Sequence, residues 1–397
     1  MFNITFLRES AGEESTNGAT RGLLVSEQEK LMGRVLEEAL RQHPQQQHRA
    51  VYSWPERDKL SSGWLLSLPG HDSTLTAAEF SECVATLLAL PSPACSDPLK
   101  LGQKIGKRRV DVYGDNVVSQ KVSGDGWRKR HDQIKNKIYS LLKWSGIEVN
   151  CEVFNLFAGL IPQQGLSRIE RGRKRQGMVA DFMVRLPGGA GEAGGGRGGG
   201  AVSVLAELKV VSSCPTWYHR APRNSIKAVK RRADGLPADY LRKADKMDHQ
   251  FGGVPEGQDG PVRRKLLTFP FRSWVFGAWG EASDDVHELV HCLVASRLRH
   301  EETLEGGGGR RRGMSDKGAL AVLTGQVRRT LSLEAARANA RCLLERVEVV
   351  GSGGKAATGR RWEAEAVERR MRREQRANML SLQYGRSVRR RGQFYLQ

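Results

Sequence analysis

GMVADFMVRL at residues 177–186 and AVSVLAELKVV at residues 201–211 flank a run of glycines and decide how the chain is read. Successive side chains of a strand point to opposite faces, so residues two apart share one. In the first segment Met178, Ala180, Phe182, Val184 and Leu186 form an apolar face, with Asp181 pointing the other way. In the second, Val202, Val204, Ala206, Leu208 and Val210 form the apolar face and Glu207 and Lys209 oppose it. The block between them, GGAGEAGGGRGGG at 188–200, lacks a GK[ST] ending and opens no helix. It reads as a flexible connection rather than a phosphate cradle. Paired as a hairpin on one core, the strands project Asp181, Glu207 and Lys209 from the same side. Two carboxylates and an ammonium beside a buried sheet are costly to desolvate unless paired, and a bound divalent cation would relieve that cost.

Outward from the pair, the pattern stays regular between residues 126 and 302. Residues 127–145 read as a helix with Ile134, Ile138, Leu141 and Leu142 on one face and Gly146 as its stop. Residues 147–157 read as a strand, 225–250 as a basic helical region interrupted at Gly235 and Pro237, and 273–279 as a strand. A helix over 284–299 turns Val286, Leu289, Val290, Leu293, Val294 and Leu298 inward. The order is αβββαβα. His131 precedes Ile134 and Ile138 by three and seven residues, which puts it on the inner side of the first helix near its start.

Asp, a variable spacer and Glu-x-Lys on adjacent strands resemble the PD-(D/E)XK nuclease superfamily. Ala180-Asp181 stands where Pro-Asp is usual, and Glu207-Leu208-Lys209 is the only D/E-x-K triplet in the chain. The resemblance covers residues 126–302 and implies an α/β fold: a restriction endonuclease-like αβββαβ core, a mixed central sheet flanked by helices, with helical accessory regions. It implies Asp181, Glu207 and Lys209 as catalytic residues. The metal ligands would be Asp181, Glu207, the Leu208 carbonyl and His131, since RecB-type relatives carry a metal-binding histidine on this helix. Mg²⁺ is the expected ion, with Mn²⁺ able to replace it, because both favour hard oxygen ligands; no zinc is expected. The implied activity is metal-dependent hydrolysis of DNA phosphodiester bonds, with RNA as the other polyanion. The alternative is an inactive nucleic-acid-binding protein of the same fold. Lys227, Lys230, Arg231 and Arg232 on the following helix are candidate phosphate contacts, and Glu152 is a candidate additional acid.

A second resemblance lies upstream. Asp111-Val112-Tyr113-Gly114-Asp115-Asn116, then Gly124-Asp125-Gly126-Trp127 and Arg130-His131-Asp132, look like the segment downstream of reverse transcriptase domains in retroelements. That segment often carries a Cys/His zinc knuckle before its endonuclease, but here Asn116 occupies the histidine position and no Cys pair flanks it. His287-Glu288-Leu289-Val290-His291 matches the HExxH of zinc peptidases. The glycine and third histidine of the extended form are absent: Val294 and Arg297 stand in their places.

The 397 residues carry 64 Lys and Arg against 44 Asp and Glu, a formal charge of +20, which points to a polyanionic partner. No apolar run approaches the roughly 18 residues of a membrane helix. The reading is a soluble, intracellular protein with no membrane partner, nuclear in a eukaryotic cell. Six cysteines without a CxxC pair read as buried thiols. The expected organisation is an accessory region over 1–120, with helices at 27–41 and 76–88, and a nuclease-like core over 121–302. A Gly/Arg-rich linker over 303–314 and a basic helical tail over 315–397, with helices at 318–346 and 361–380, complete it. The core is expected to fold without that tail.

Overall fold

The computed structural model describes residues 60–67, 74–120, 126–153, 158–162, 180–186, 201–213, 225–304 and 316–351. Before the sheet come α1 (Ala77–Leu87), a short hairpin of β1 (Lys104–Ile105) and β2 (Arg108–Arg109), and α2 (Asp115–Ser119). Then follow α3 (Gly126–Trp144), β3 (Val149–Val153), β4 (Ala180–Leu186), β5 (Val202–Val210), α4 (Ser225–Gln250), α5 (Pro261–Leu267), β6 (Phe271–Phe276), α6 (Asp284–Leu304) and α7 (Asp316–Gly351). The helices expected at 27–41 and 361–380, the glycine block at 188–200 and Cys214 lie outside the described residues. Of the five described cysteines Cys83, Cys95 and Cys342 are buried as expected, whereas Cys151 and Cys292 are only partly so.

The sheet is mixed and runs β3-β4-β5-β6, so the fold is α/β. β4 is antiparallel to both β3 and β5, and β6 joins β5 in parallel through the α4–α5 connection. The register pairs Phe182 with Ala206 and Val184 with Val204. Even-numbered side chains of both strands therefore share the face expected from the two-residue period. On that face Ile134, Ile138 and Leu142 of α3 and Val286, Leu289, Val290 and Leu293 of α6 pack against Phe182, Leu208 and Trp274. Two residues depart from it: Val202, at the open end of β5, is 44% exposed, and Ala180, at the start of β4, packs in the cluster of Leu205 and Tyr240. The opposite face is covered as well: Leu205 meets Tyr240, Ala244 and Met247 of α4 and Val262 and Leu266 of α5. Helices thus layer both sides of the sheet.

Three expectations change. Helix α4 is continuous through Pro237. An interior proline costs about 3 kcal/mol, but Ala228 and Val229 before it and Tyr240, Ala244 and Met247 after it are all buried against the same side of the sheet, and that burial outweighs the lost bond. Helix α5 is an added element between the basic helix and the last strand. Its start is held by the buried Asp248, whose carboxylate accepts from the backbone of Val262 at 3.0 Å and of Arg263 at 2.9 Å.

The third change concerns the tail. Residues 316–351 form one helix in which Leu323, Val327, Leu331, Ala335 and Ala338 enter the same core as Phe182 and Trp274. Further along, Leu333 and Ala340 pack with Trp64 and α1, and Leu343 and Val347 pack with Cys95, Ile105 and Val117. The helix is apolar on several sides because it touches different partners along its length, and Arg337 and Arg346 are buried with them. It is a spine of the core, so the core is not complete at residue 302.

Candidate functional site

The β4–β5 ladder ends at Phe182 and Ala206, and one residue beyond it a side chain takes over from the backbone. The Leu208 N–H donates to Asp181 Oδ2 at 2.9 Å. This fixes the Asp181 carboxylate beside the Leu208 peptide. Helix α3 lies across the apolar face, anchored by Arg130, which donates to the Val210 carbonyl at 3.3 Å and to Asn339 Oδ1 at 3.3 Å. That anchoring brings His131 to the same peptide: its Nε2 lies 3.1 Å from Asp181 Oδ2 and 3.2 Å from the Leu208 carbonyl.

Glu207 points to the opposite layer and is only 4% exposed. One of its carboxylate oxygens accepts from Lys209 Nζ and the other from the hydroxyl of Tyr240 on α4. The site therefore sits where two helical layers meet across β4 and β5, with His131 from one side and Tyr240 from the other. Asp181 and the Glu207–Lys209 pair, chosen from strand period, lie on adjacent strands but take different partners: Asp181 bonds His131, whereas Glu207 bonds Lys209 and Tyr240. Asp132 adds a contact that the sequence reading missed: its Oδ1 lies 3.1 Å from His131 Nδ1 and 3.4 Å from Lys135 Nζ. The signal was available as a carboxylate directly after the histidine, in a helical turn with a lysine three residues on.

Burial alone would lower the His131 pKa, but bonding to Asp132 and Asp181 outweighs it and raises the group to about 9. At neutral pH the ring is an imidazolium that donates from both nitrogens. For Asp181, burial is likewise overruled, by His131, the Leu208 N–H and Lys209, which hold its carboxyl below the usual range. Tyr240 is pushed upward by burial and by the Glu207 charge, so its hydroxyl stays protonated and can only donate to that carboxylate.

Two carboxylates and a main-chain carbonyl are the oxygen donors a hard divalent cation takes, whereas an imidazole is a softer donor. Asp181, the Leu208 carbonyl and His131 already share one spot, although Nε2 must release its proton before it can ligate. Among the described residues, no group of three or more His, Cys, Asp or Glu side chains is arranged to hold a metal ion. Glu207 is turned to Lys209 and Tyr240, and it would complete the set only on leaving them.

The remaining candidates are distributed differently. Lys227, Lys230 and Arg231 are exposed along α4, whereas Arg232 is drawn into an ion pair with Asp239 at 2.7 Å. Glu152 lies on β3, but its side chain is outside the described set. In the HExxH of α6, Glu288 pairs with Arg272 at 2.8 Å and His291 is exposed. Upstream, Asp111 acts as a cap: it accepts from the backbone of Tyr113 and Asp115 through Oδ1 and of Asn116 through Oδ2. Gly114 has φ +76°, and its α-carbon faces Leu343 and Cys95. That segment docks against α7. No helix among the described residues is long and apolar enough to cross a membrane. No family model matches the chain, and no curated protein does.

Proposed function

We propose that the chain is a metal-dependent phosphodiesterase acting on DNA, built on a restriction endonuclease-like core of PD-(D/E)XK type. The observation that supports this reading is the bonding of Asp181 and His131 to the Leu208 peptide, with the paired Glu207 and Lys209 on either side of that residue along β5. Asp181, Glu207, the Leu208 carbonyl and His131 would hold Mg²⁺ or Mn²⁺, which when bound supplies a more acidic water and a polarised phosphate. The chain's own groups do the rest. Lys209, tied to Glu207 and 34% exposed, stands ready to orient a water or to accept negative charge developing on phosphorus. Asp132 sets the ring angle of His131, while Tyr240 and Lys209 hold the Glu207 carboxylate, which would have to leave them to join the cation. Lys227, Lys230 and Arg231, exposed on the first turns of α4, would supply contacts to the phosphate backbone.

One observation favours a second reading, a nucleic-acid-binding protein that does not cut: both Glu207 oxygens are already engaged by protein donors. The test is incubation of the purified full chain with labelled single- and double-stranded DNA and RNA in Mg²⁺, Mn²⁺ or EDTA. Cleavage of DNA that EDTA abolishes is the expected result. Binding without cleavage in every ion supports the second reading, and absence of both binding and cleavage removes both.

A further inference from the structure

Residues 100–110, KLGQKIGKRRV, contain five Lys or Arg and no acid. They build the β1–β2 hairpin, in which Lys104 faces Arg109 and Ile105 faces Arg108 across a turn at Gly106 and Lys107. Gly106 takes φ +57°, the left-handed geometry such a turn asks for. Ile105 is 4% exposed and packs with Cys95, Val110, Val117, Leu343 and Val347. The hairpin is thus pinned to the core from below.

It is braced from the side as well. Arg108 donates to Asn116 Oδ1 at 3.0 Å, and Asn116 Nδ2 donates to the Arg109 carbonyl at 2.9 Å. Arg109 donates to the Gly102 carbonyl at 2.9 Å. Lys104 and Lys107 differ: both are exposed, and among the described residues neither ammonium has a hydrogen bond or ion pair. A fixed ribbon therefore carries two cations that no acid among the described residues neutralises.

The hairpin is also tied to the end of the helix that carries His131. Trp127 Nε1 donates to the Val118 carbonyl of α2 at 2.6 Å. Arg346 donates to the Val117 carbonyl at 2.9 Å and lies 5.0 Å over the Trp127 ring. Hairpin, α2 and the start of α3 are one packed unit.

We infer that the β1–β2 hairpin is a docking surface for the phosphodiester backbone of duplex DNA, with Lys104 and Lys107 as its phosphate contacts. The inference rests on nucleic acid being the ligand, and it extends the proposed reading from the cutting site to how the substrate is held. A rigid cationic ribbon attached to the site-bearing helix suits a regular polyanion. Leu99 and Leu101, exposed beside it at 75% and 46%, would also suit a lipid surface, which the experiment addresses.

The test compares the full chain with a Lys104→Ala, Lys107→Ala double variant that leaves the bracing Arg108 intact. Binding of a fluorescent DNA duplex is followed by anisotropy across a salt series in EDTA. The variant should bind more weakly, and its slope of log affinity against log salt should be shallower by about 0.9 per lost contact. Its thermal melt should match that of the parent. An unchanged slope overturns the inference. So does unchanged duplex binding combined with lost binding to phosphatidylserine-containing vesicles. Because EDTA suppresses cleavage, a parent chain that binds DNA without ever cutting it sinks the nuclease reading and leaves the hairpin result readable; a parent that does not bind DNA sinks both.

Discussion

Glu207→Gln separates chemistry from architecture more cleanly than any other single change. The substitution keeps the shape of a side chain that is 4% exposed and replaces one carboxylate oxygen with an amide N–H group. The Tyr240 hydroxyl can rotate to accept from that N–H, so its bond survives in altered form. Lys209 loses its counter-charge, but its side chain is 34% exposed and water takes up much of the loss. The stability cost is therefore about 1 kcal/mol, a fall in Tm of about 2–4 °C for a domain of 150–250 residues. Catalysis should suffer far more, by about 10²–10³-fold, the usual cost of removing one preorganised electrostatic group. Removing a negative charge near the phosphate should leave DNA affinity equal or higher. The assay pairs single-turnover cleavage in Mg²⁺ with duplex binding in EDTA and a thermal melt. A variant that cuts at the parent rate refutes the assignment of Glu207. A variant whose cleavage, binding and Tm all fall together makes Glu207 an architectural residue.

Two further predictions concern the frame around the site. Leu331→Ala, at a position 1% exposed within the main core, should cost about 2–5 kcal/mol by denaturant titration, and a chain ending at residue 304 should lose its cooperative melt; full stability of either would return α7 to the status of a tail. Gly114→Ala should cost about 1–2 kcal/mol for the left-handed backbone alone, and more because the new methyl group would stand 2.5 Å from Leu343 Cδ1. A Tm equal to the parent's would mean that this turn does not dock on α7 as described.

Much of the centre of the fold was legible because strand period is a local property. Alternation along 182–186 and 204–208 decides which residues share a face, and the observed register of Phe182 with Ala206 places them as that alternation requires. The same reasoning selected Asp181, Glu207 and Lys209, and helical spacing put His131 on the inner side of α3, where it meets Asp181.

Only the tertiary structure could decide what depends on partners distant in the chain. Helix α7 contacts the sheet core, α1 and the Cys95 cluster at successive positions, so its apolar residues lie around it rather than along one stripe, and its arginines suggested a basic tail outside the core. Pro237 signals a break by itself, yet burial of Tyr240 and Ala244 beyond it carries the helix through. Lys227, Lys230, Arg231 and Arg232 look alike in sequence, but Asp239 claims the last of them. The roles of Asp132 and Tyr240 likewise arise from where the helices dock: the Tyr240 hydroxyl reaches Glu207 across 33 residues of sequence. Local periodicity determines which face a side chain takes, while its hydrogen-bond partner is decided by long-range packing.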